Sequence, residues 1–266
     1  MSAVTDAPVT QRAVAPVATR AQRWRRRYGL PAMGTLIVLI WIVVAITAPL
    51  LSPHDPNMVD VTNRLKPPSG AHWLGTDALG RDVFTRLLFG SRISLTTGFV
   101  VVIVGALFGT LLGGIAAFAR GKIEEAIMRL TDLVLCFPPI ILALAIAAAL
   151  GIGTTNTIIA MLVVWWPKFA RLAHSMVLTQ RSQEYVEAAI VAGFGPARIL
   201  FRHIIPNSVG PLIVLVTLDV GNAIITFAGL SFLGLGVVPP TAEWGSMVAE
   251  RSEEHTSELQ SRQYLV

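Results

Sequence analysis

The sequence predicts an all-α membrane protein, a polytopic helical bundle. Composition is the first reason. Its 266 residues are 53% hydrophobic and only 14% charged, against about 25% charged in a typical soluble domain. The second reason is segmentation. Apolar residues gather at 34–51, 93–118, 130–150, 157–178 and 209–230, each close to the ~20 residues that cross a hydrocarbon core. The third is charge placement. Arg12, Arg20, Arg23, Arg25, Arg26 and Arg27 all precede the first apolar stretch, the positive-inside bias of a cytoplasmic N-terminus. With no aromatic interleaving beyond Trp24 and Tyr28, they do not form a nucleic-acid patch. Cys136 is the only cysteine, so no intrachain disulfide can form.

Residues 1–30 are rich in Ala, Pro and Arg and are expected to form a disordered basic tail. The stretch 34–51 is too long and too far from the start for a signal peptide, and no small-residue cleavage site follows it. It is expected to be an uncleaved first span. Residues 52–92 then lie outside. Within them, Leu79, Val83, Phe84, Leu87 and Leu88 make an apolar stripe opposite Arg81, Asp82, Thr85 and Arg86. That pattern suits an amphipathic helix on the membrane surface, with Trp73 as an interfacial anchor. His72, Asp77 and Asp82 are metal-ligating types, but their spacing matches no metal motif and none is expected.

The second stretch carries Gly105, Gly109 and Gly113, a doubled GxxxG that lets another helix approach closely. The neighbour is either a helix of this chain or one of a partner subunit. A basic loop with Arg120, Lys122 and Arg129 follows on the inside. The third stretch contains Pro138 and Pro139, which remove backbone donors and kink a helix. In a bilayer the freed carbonyls need protein or water neighbours, which favours an inward, pathway-lining position or a purely structural kink. In the fourth stretch, Lys168, Arg171 and His174 are expected to snorkel to the inner interface. Asp219 is the one acid inside the fifth stretch, and intramembrane acids are functional candidates by default. It faces either the translocation path or a neighbouring helix, with Asn222 three residues on sharing its polar face.

Between the fourth and fifth stretches, residues 182–207 form a polar segment that contains EYVEAAIVAGFGPARILFRHIIPN. Ser182 offers an N-cap, and Glu184 adds acid to the first turn. Glu184 and Glu187 share one face. Tyr185, Ala188, Ala189 and Ala192 fall at helical spacing as a small packable face. Gly193 suits a left-handed C-cap, Pro196 suits the first turn of a second helix over 197–204, and Pro206 is expected to break that helix before the next span.

Glu187-Ala188-Ala189 with Gly193 and Pro206 resembles the EAA loop of binding-protein-dependent ABC importers. The resemblance extends to HWLGTDALGRDVFTRLLFG, MRLTDLVLCFPPIILALAI, WPKFARLAHSMVL and GLSFLGLGVVPPTAEWGSM. These are similar to the second, C-type inner-membrane permease subunit of dipeptide, oligopeptide and nickel importers, over about 34–250. The resemblance implies an importer transmembrane domain over 31–250, whose 182–207 loop docks on an ATPase. Glu184, Tyr185, Glu187, Ala188, Ala189, Gly193 and Pro206 would be its coupling residues. It further implies a second permease subunit, two ATP-binding subunits, an extracytoplasmic substrate-binding protein and a place in a bacterial inner membrane. Members often carry an acid shortly before the SFLGLG segment. Phe227 stands there in this chain, so no role of that acid carries over.

The family pattern continues into a sixth span, whereas residues 251–266 read RSEEHTSELQSRQYLV. This polar tail closely resembles an in-frame translation of a short-read sequencing adapter, and is expected to be artefactual. The chain has no G-x-x-x-x-G-K-[ST] loop, no HExxH and no nucleophile elbow. It is therefore expected to be non-catalytic and without a cofactor of its own, with ATP bound by its partners. The expected cargo is a di- or oligopeptide; nickel or another small solute is the alternative. A secondary transporter fits less well, because it calls for an internal repeat and more intramembrane charge.

Overall fold

The computed structural model describes the backbone of residues 30–263, and side-chain burial from 32 to 253. The expected tail at 1–30 lies almost wholly outside the described residues. The chain divides into two compact units, 1–43 and 44–266. Helix α1, Leu30–Leu51, runs across that division. Among the described residues all regular structure is helical; the only pairing of extended backbone is an isolated bridge between Thr76 and Asp82.

In the second unit, α2 (Val83–Ala119) is 37 residues long, or about 55 Å at 1.5 Å per residue. Asp82 starts it by accepting the Thr85 backbone N–H at 2.8 Å. Arg120 and Gly121, both with positive φ, end it and turn the chain into α3 (Gly121–Leu135). Then come α4 (Pro139–Leu150), α5 (Thr154–Arg181), α6 (Glu184–Val191), α7 (Pro196–Ile199), α8 (Val209–Phe232) and α9 (Trp244–Gln263).

The third predicted span is broken rather than kinked. Helices α3 and α4 meet at 91°. Pro138 disfavours helix at the preceding residue, and Pro139 is preorganised for the first turn of the next helix. Helix α3 keeps five charged residues and one amphipathic face, while α4 is wholly apolar. Pro138 and Pro139 themselves are exposed on this chain. The Pro138 carbonyl is engaged locally, accepting the Ile141 and Leu142 N–H groups at 3.1 Å.

Among the described residues, three helices are long and apolar enough to cross a membrane, over Ala32–Leu51, Val83–Ala119 and Val209–Phe232, and there are four if the bent pair counts as one span. The remaining predicted span is α5. Its 28 residues suffice in length, but Lys168, Arg171 and Arg181 make it more polar than the other three. The physical reason is its position. Helices α2, α3, α4 and α8 all pack against α5, so much of its surface is met by protein, while Ile159, Val163 and Arg171 stay exposed. Met161, Trp165 and Phe169 enter one core with Val101, Ala143 and Phe227.

The glycine seam makes that packing close. A Cβ on Gly109 would lie 2.2 Å from the Trp166 carbonyl oxygen, and one on Gly113 2.1 Å from that of Ala170. On Gly105 it would lie 3.3 Å from Trp165 Cβ. All three glycines therefore face α5 of the same chain.

Candidate functional site

At the Ala119 end of α2, the segment 182–207 folds as a helical hairpin. Ser182 is not the N-cap of α6. Its hydroxyl donates back to the Thr179 carbonyl at 3.0 Å, closing α5 instead. Gln183 takes the cap position, without a side-chain bond. Tyr185 donates to Gln180 Oε1 at 2.8 Å and ties α6 to the end of α5. The predicted small face is divided. Val186 and Ala189 are buried with Val177, Ile199, Leu200 and Ile204, whereas Tyr185, Ala188 and Ala192 are exposed. The reason is register: positions 186 and 189 share a row on a 3.6-residue helix, and the larger apolar residue of that row sets the buried side. Ala189 is thus occupied by the chain's own core.

The turn is a Schellman motif. Gly193, at φ +77, donates to Ile190 O at 3.0 Å, and Phe194 donates to Ala189 O at 3.1 Å. Pro196 opens α7. The helix runs through Pro206 to Asn207 and is interrupted at Ser208, just before α8. Leu200–Ile204 widens into a π-helical turn, and Ile205–Asn207 continues directly from it. A proline removes one i→i−4 donor, and a π turn shifts the bonding register to absorb the loss.

Sequence reasoning missed the hairpin's outer rim. Val191 is 89% exposed, with Ile190 and Phe194 beside it and Phe201 on the second limb also exposed. Phe194 stacks on His203, with centroids 5.7 Å apart, and carries the Arg198 guanidinium 4.9 Å from its ring. Glu184 and Glu187 are exposed in the first turn of α6. The signal in the sequence was Ile190-Val191, two large apolar residues off the buried row.

In the middle of the bundle, Lys168 does not snorkel. It forms an ion pair with the buried Asp219 carboxylate and sits 4.2 Å from the centroid of the Trp165 ring. Arg171 pairs with Asp132, and His174 Nε2 lies 2.7 Å from Glu124 Oε1, so both face α3. Asn222 is exposed and does not share the buried side of Asp219; Ala223, one residue on, does. Phe227 is fully buried in the core.

At the Val83 end of α2 the predicted surface helix is inverted. Arg81, Asp82, Thr85 and Arg86 are all at most 3% exposed, while Leu79 is 46% exposed. The charges turn inward because each finds a partner. Arg81 Nε lies 2.6 Å from Asp77 Oδ2, and Nη2 of Arg81 and of Arg86 lie 2.9 and 3.1 Å from Glu250 Oε2. Arg86 also donates to the Pro240 carbonyl at 3.2 Å. Trp73 is exposed and packs on Phe84. Asp77 is committed to Arg81 and Arg86, so the trio His72, Asp77 and Asp82 does not converge. Asp82 instead meets His72 at 2.9 Å. Burial opposes its ionisation, but the Thr85 N–H, the His72 ring and the Thr85 hydroxyl outweigh it and hold the carboxyl below its usual range. Asp60 is likewise lowered, chiefly by the Thr62 hydroxyl.

Long apolar helices packed against a more polar central helix, with a helical hairpin set between that helix and α8, define a polytopic membrane component. Residues 105–259 match the family described as binding-protein-dependent transport system inner membrane component. Residues 30–68 match the N-terminal TM domain of oligopeptide transport permease C. The chain is 43% identical to the probable D,D-dipeptide transport system permease protein DdpC of Escherichia coli, over 83% of this chain and 74% of that one. It is 42% identical to the dipeptide transport system permease protein DppC of Alkalihalophilus pseudofirmus, over 87% and 78%. It is 43% identical to the glutathione transport system permease protein GsiD of Pectobacterium atrosepticum, over 85% and 76%. The chain belongs to the family of binding-protein-dependent transport system inner membrane components. It is a multi-pass inner-membrane permease subunit, a non-catalytic part of its transport system.

Proposed function

We propose that this chain is one of two permease subunits of an ATP-driven importer of di- or oligopeptides. The exposed apolar rim of the 182–207 hairpin carries this reading. Val191, Ile190 and Phe194 stand on a segment whose other side is locked into the bundle. Apolar side chains in that position, next to Glu184 and Glu187, suit a groove on an ATP-binding subunit. The arginines before α1 keep the N-terminus in the cytoplasm, and loop order then puts the hairpin on the same side.

In this scheme the chain binds no cofactor of its own. Two partner subunits bind and hydrolyse ATP, a second permease completes the path, and an extracytoplasmic binding protein delivers cargo. Closure of the ATPases moves the hairpins, and the rigid Val186/Ala189 contact passes the movement to α2 and α5. Lys168 and Asp219 are a second element of the proposal: a zwitterionic peptide presents both charges needed to compete with their pair. The peptide assignment rests on the relatives named for dipeptide and glutathione transport.

The test is a double variant, Val191→Asp with Phe194→Ala, expressed with its partner subunits. It should insert and retain the second permease, yet lose the co-purifying ATPases and ATP-driven dipeptide uptake in proteoliposomes. Wild-type retention of the ATPases together with wild-type uptake would overturn the assignment.

A further inference from the structure

We propose that His54, His72 and Asp82 form a binding site for a divalent transition-metal ion of the zinc class. The ion would clasp the segment leaving α1 to the first turn of α2. This inference is independent of the transport reading.

The geometry is set by three separate pieces of chain. One ligand atom from each residue can be chosen so that all lie within 4.8 Å of one another. His72 Nδ1 is 2.9 Å from Asp82 Oδ1, and His54 Nδ1 is 3.9 Å from Asp82 Oδ2. Tetrahedral zinc with bonds near 2.0–2.2 Å sets neighbouring ligand atoms roughly 3.3 Å apart. The two observed separations, measured to different oxygens of Asp82, bracket that figure, and the three ligand atoms span up to 4.8 Å, so the side chains must rotate inward to close on an ion. The imidazoles are already aligned, with centroids 4.8 Å apart and an interplanar angle of 28°.

Two further observations point to a ligand. His54 Nδ1 is buried and has no hydrogen-bond partner among the described residues. A buried ring nitrogen left unpaired is destabilising, and a metal bond would satisfy it. The carboxylate is also oriented from outside the trio, as outer partners of metal ligands are: Asp82 Oδ2 accepts the Thr85 N–H at 2.8 Å. Asp77, the other nearby acid, is held by Arg81 and Arg86. Asp82 is therefore the one anion of the site.

The donor set selects the ion. Two imidazoles and one carboxylate suit zinc, cobalt, nickel or copper, whereas magnesium and calcium require oxygen ligands. Three protein ligands leave a fourth position for water. The sequence concealed the site because residues 54, 72 and 82 follow no motif spacing. They meet only because the 3₁₀ turn Val61–Asn63 and the hydrogen bonds from Leu65 and Thr76 fold the intervening loop back.

The test uses the full chain, purified without a polyhistidine tag and stripped by a chelator. Zn²⁺ alone is titrated by calorimetry, and Co²⁺ alone is followed by its visible ligand-field bands. Wild type should bind one Zn²⁺ per chain and give tetrahedral Co²⁺ bands. His54→Gln should weaken Zn²⁺ binding by at least about tenfold and abolish those bands, with the unfolding temperature of the metal-free protein unchanged. His72→Gln should behave alike; if it fails to fold, His54→Gln alone decides. Absence of Zn²⁺ binding in wild type, or equal binding in wild type and His54→Gln, would overturn the proposal.

Discussion

The two ends of α2 invert the usual rule in opposite directions. At the Val83 end the charged residues Arg81, Asp82 and Arg86 are buried. At the Ala119 end the apolar residues Ile190, Val191 and Phe194 are exposed. The first arrangement is closed on itself: every buried charge has a partner at hydrogen-bond distance, which is the condition for burying it. The second is open, with an apolar rim left exposed by the described residues. One end is closed to hold a shape; the other is the one proposed to meet an ATP-binding subunit. Between them the glycine seam packs α2 closely on α5.

Breaking the connection should have the largest effect. Gly113→Val places a side chain against the Ala170 backbone, where a Cβ alone would lie 2.1 Å from the carbonyl. Backbone cannot yield as a rotamer can, so destabilisation should reach or exceed about 3 kcal/mol. Thermal unfolding in detergent would read it, and an unchanged melting temperature would refute the seam.

Opening the closed end comes next. Arg86→Ala leaves Asp77 and Glu250 facing an emptied buried site. The expected loss is on the order of 3 kcal/mol, at the low end for a buried pair because Glu250 is partly open to water. The same unfolding measurement applies, and a more stable variant would mean the network is not holding that end together.

The open end should respond in function more than in stability. Gly193→Val forces a β-branched residue to φ +77, although no atom crowds the site. The cost is about 1–2 kcal/mol, and ATP hydrolysis should uncouple from uptake. Coupled transport at the wild-type ratio would contradict the hairpin's role. Val191→Asp should change stability by less than about 0.5 kcal/mol, since Val191 is 89% exposed, yet it should lower uptake several-fold. A large loss of stability instead would place Val191 in a structural contact.

Much of the hairpin was legible beforehand. Gly193 and Pro196 have local conformational requirements that a sequence displays directly. The division of Ala188 from Ala189 was not legible, because which row of α6 is buried depends on Ile199 and Leu200 from the other limb. The break at Pro138 was visible as a kink. Its 91° angle was not, since proline removes a bond without dictating where the next helix packs. Lys168 misled for a related reason. Its distance from the Arg181 end of α5 suits snorkelling, and only the fold brings Asp219 from α8 alongside it.

By itself the sequence determined the class: a helical membrane protein, its long apolar segments, its turn residues and the spaced motif of a transport permease. These depend on composition and on neighbours within one or two helical turns, and such information is local. Tertiary structure alone decided which polar residues are inside, which glycine face meets which helix, and that His54 joins His72 and Asp82. Each of those depends on groups far apart in the chain, whose meeting is fixed by how the helices pack and not by any spacing between them.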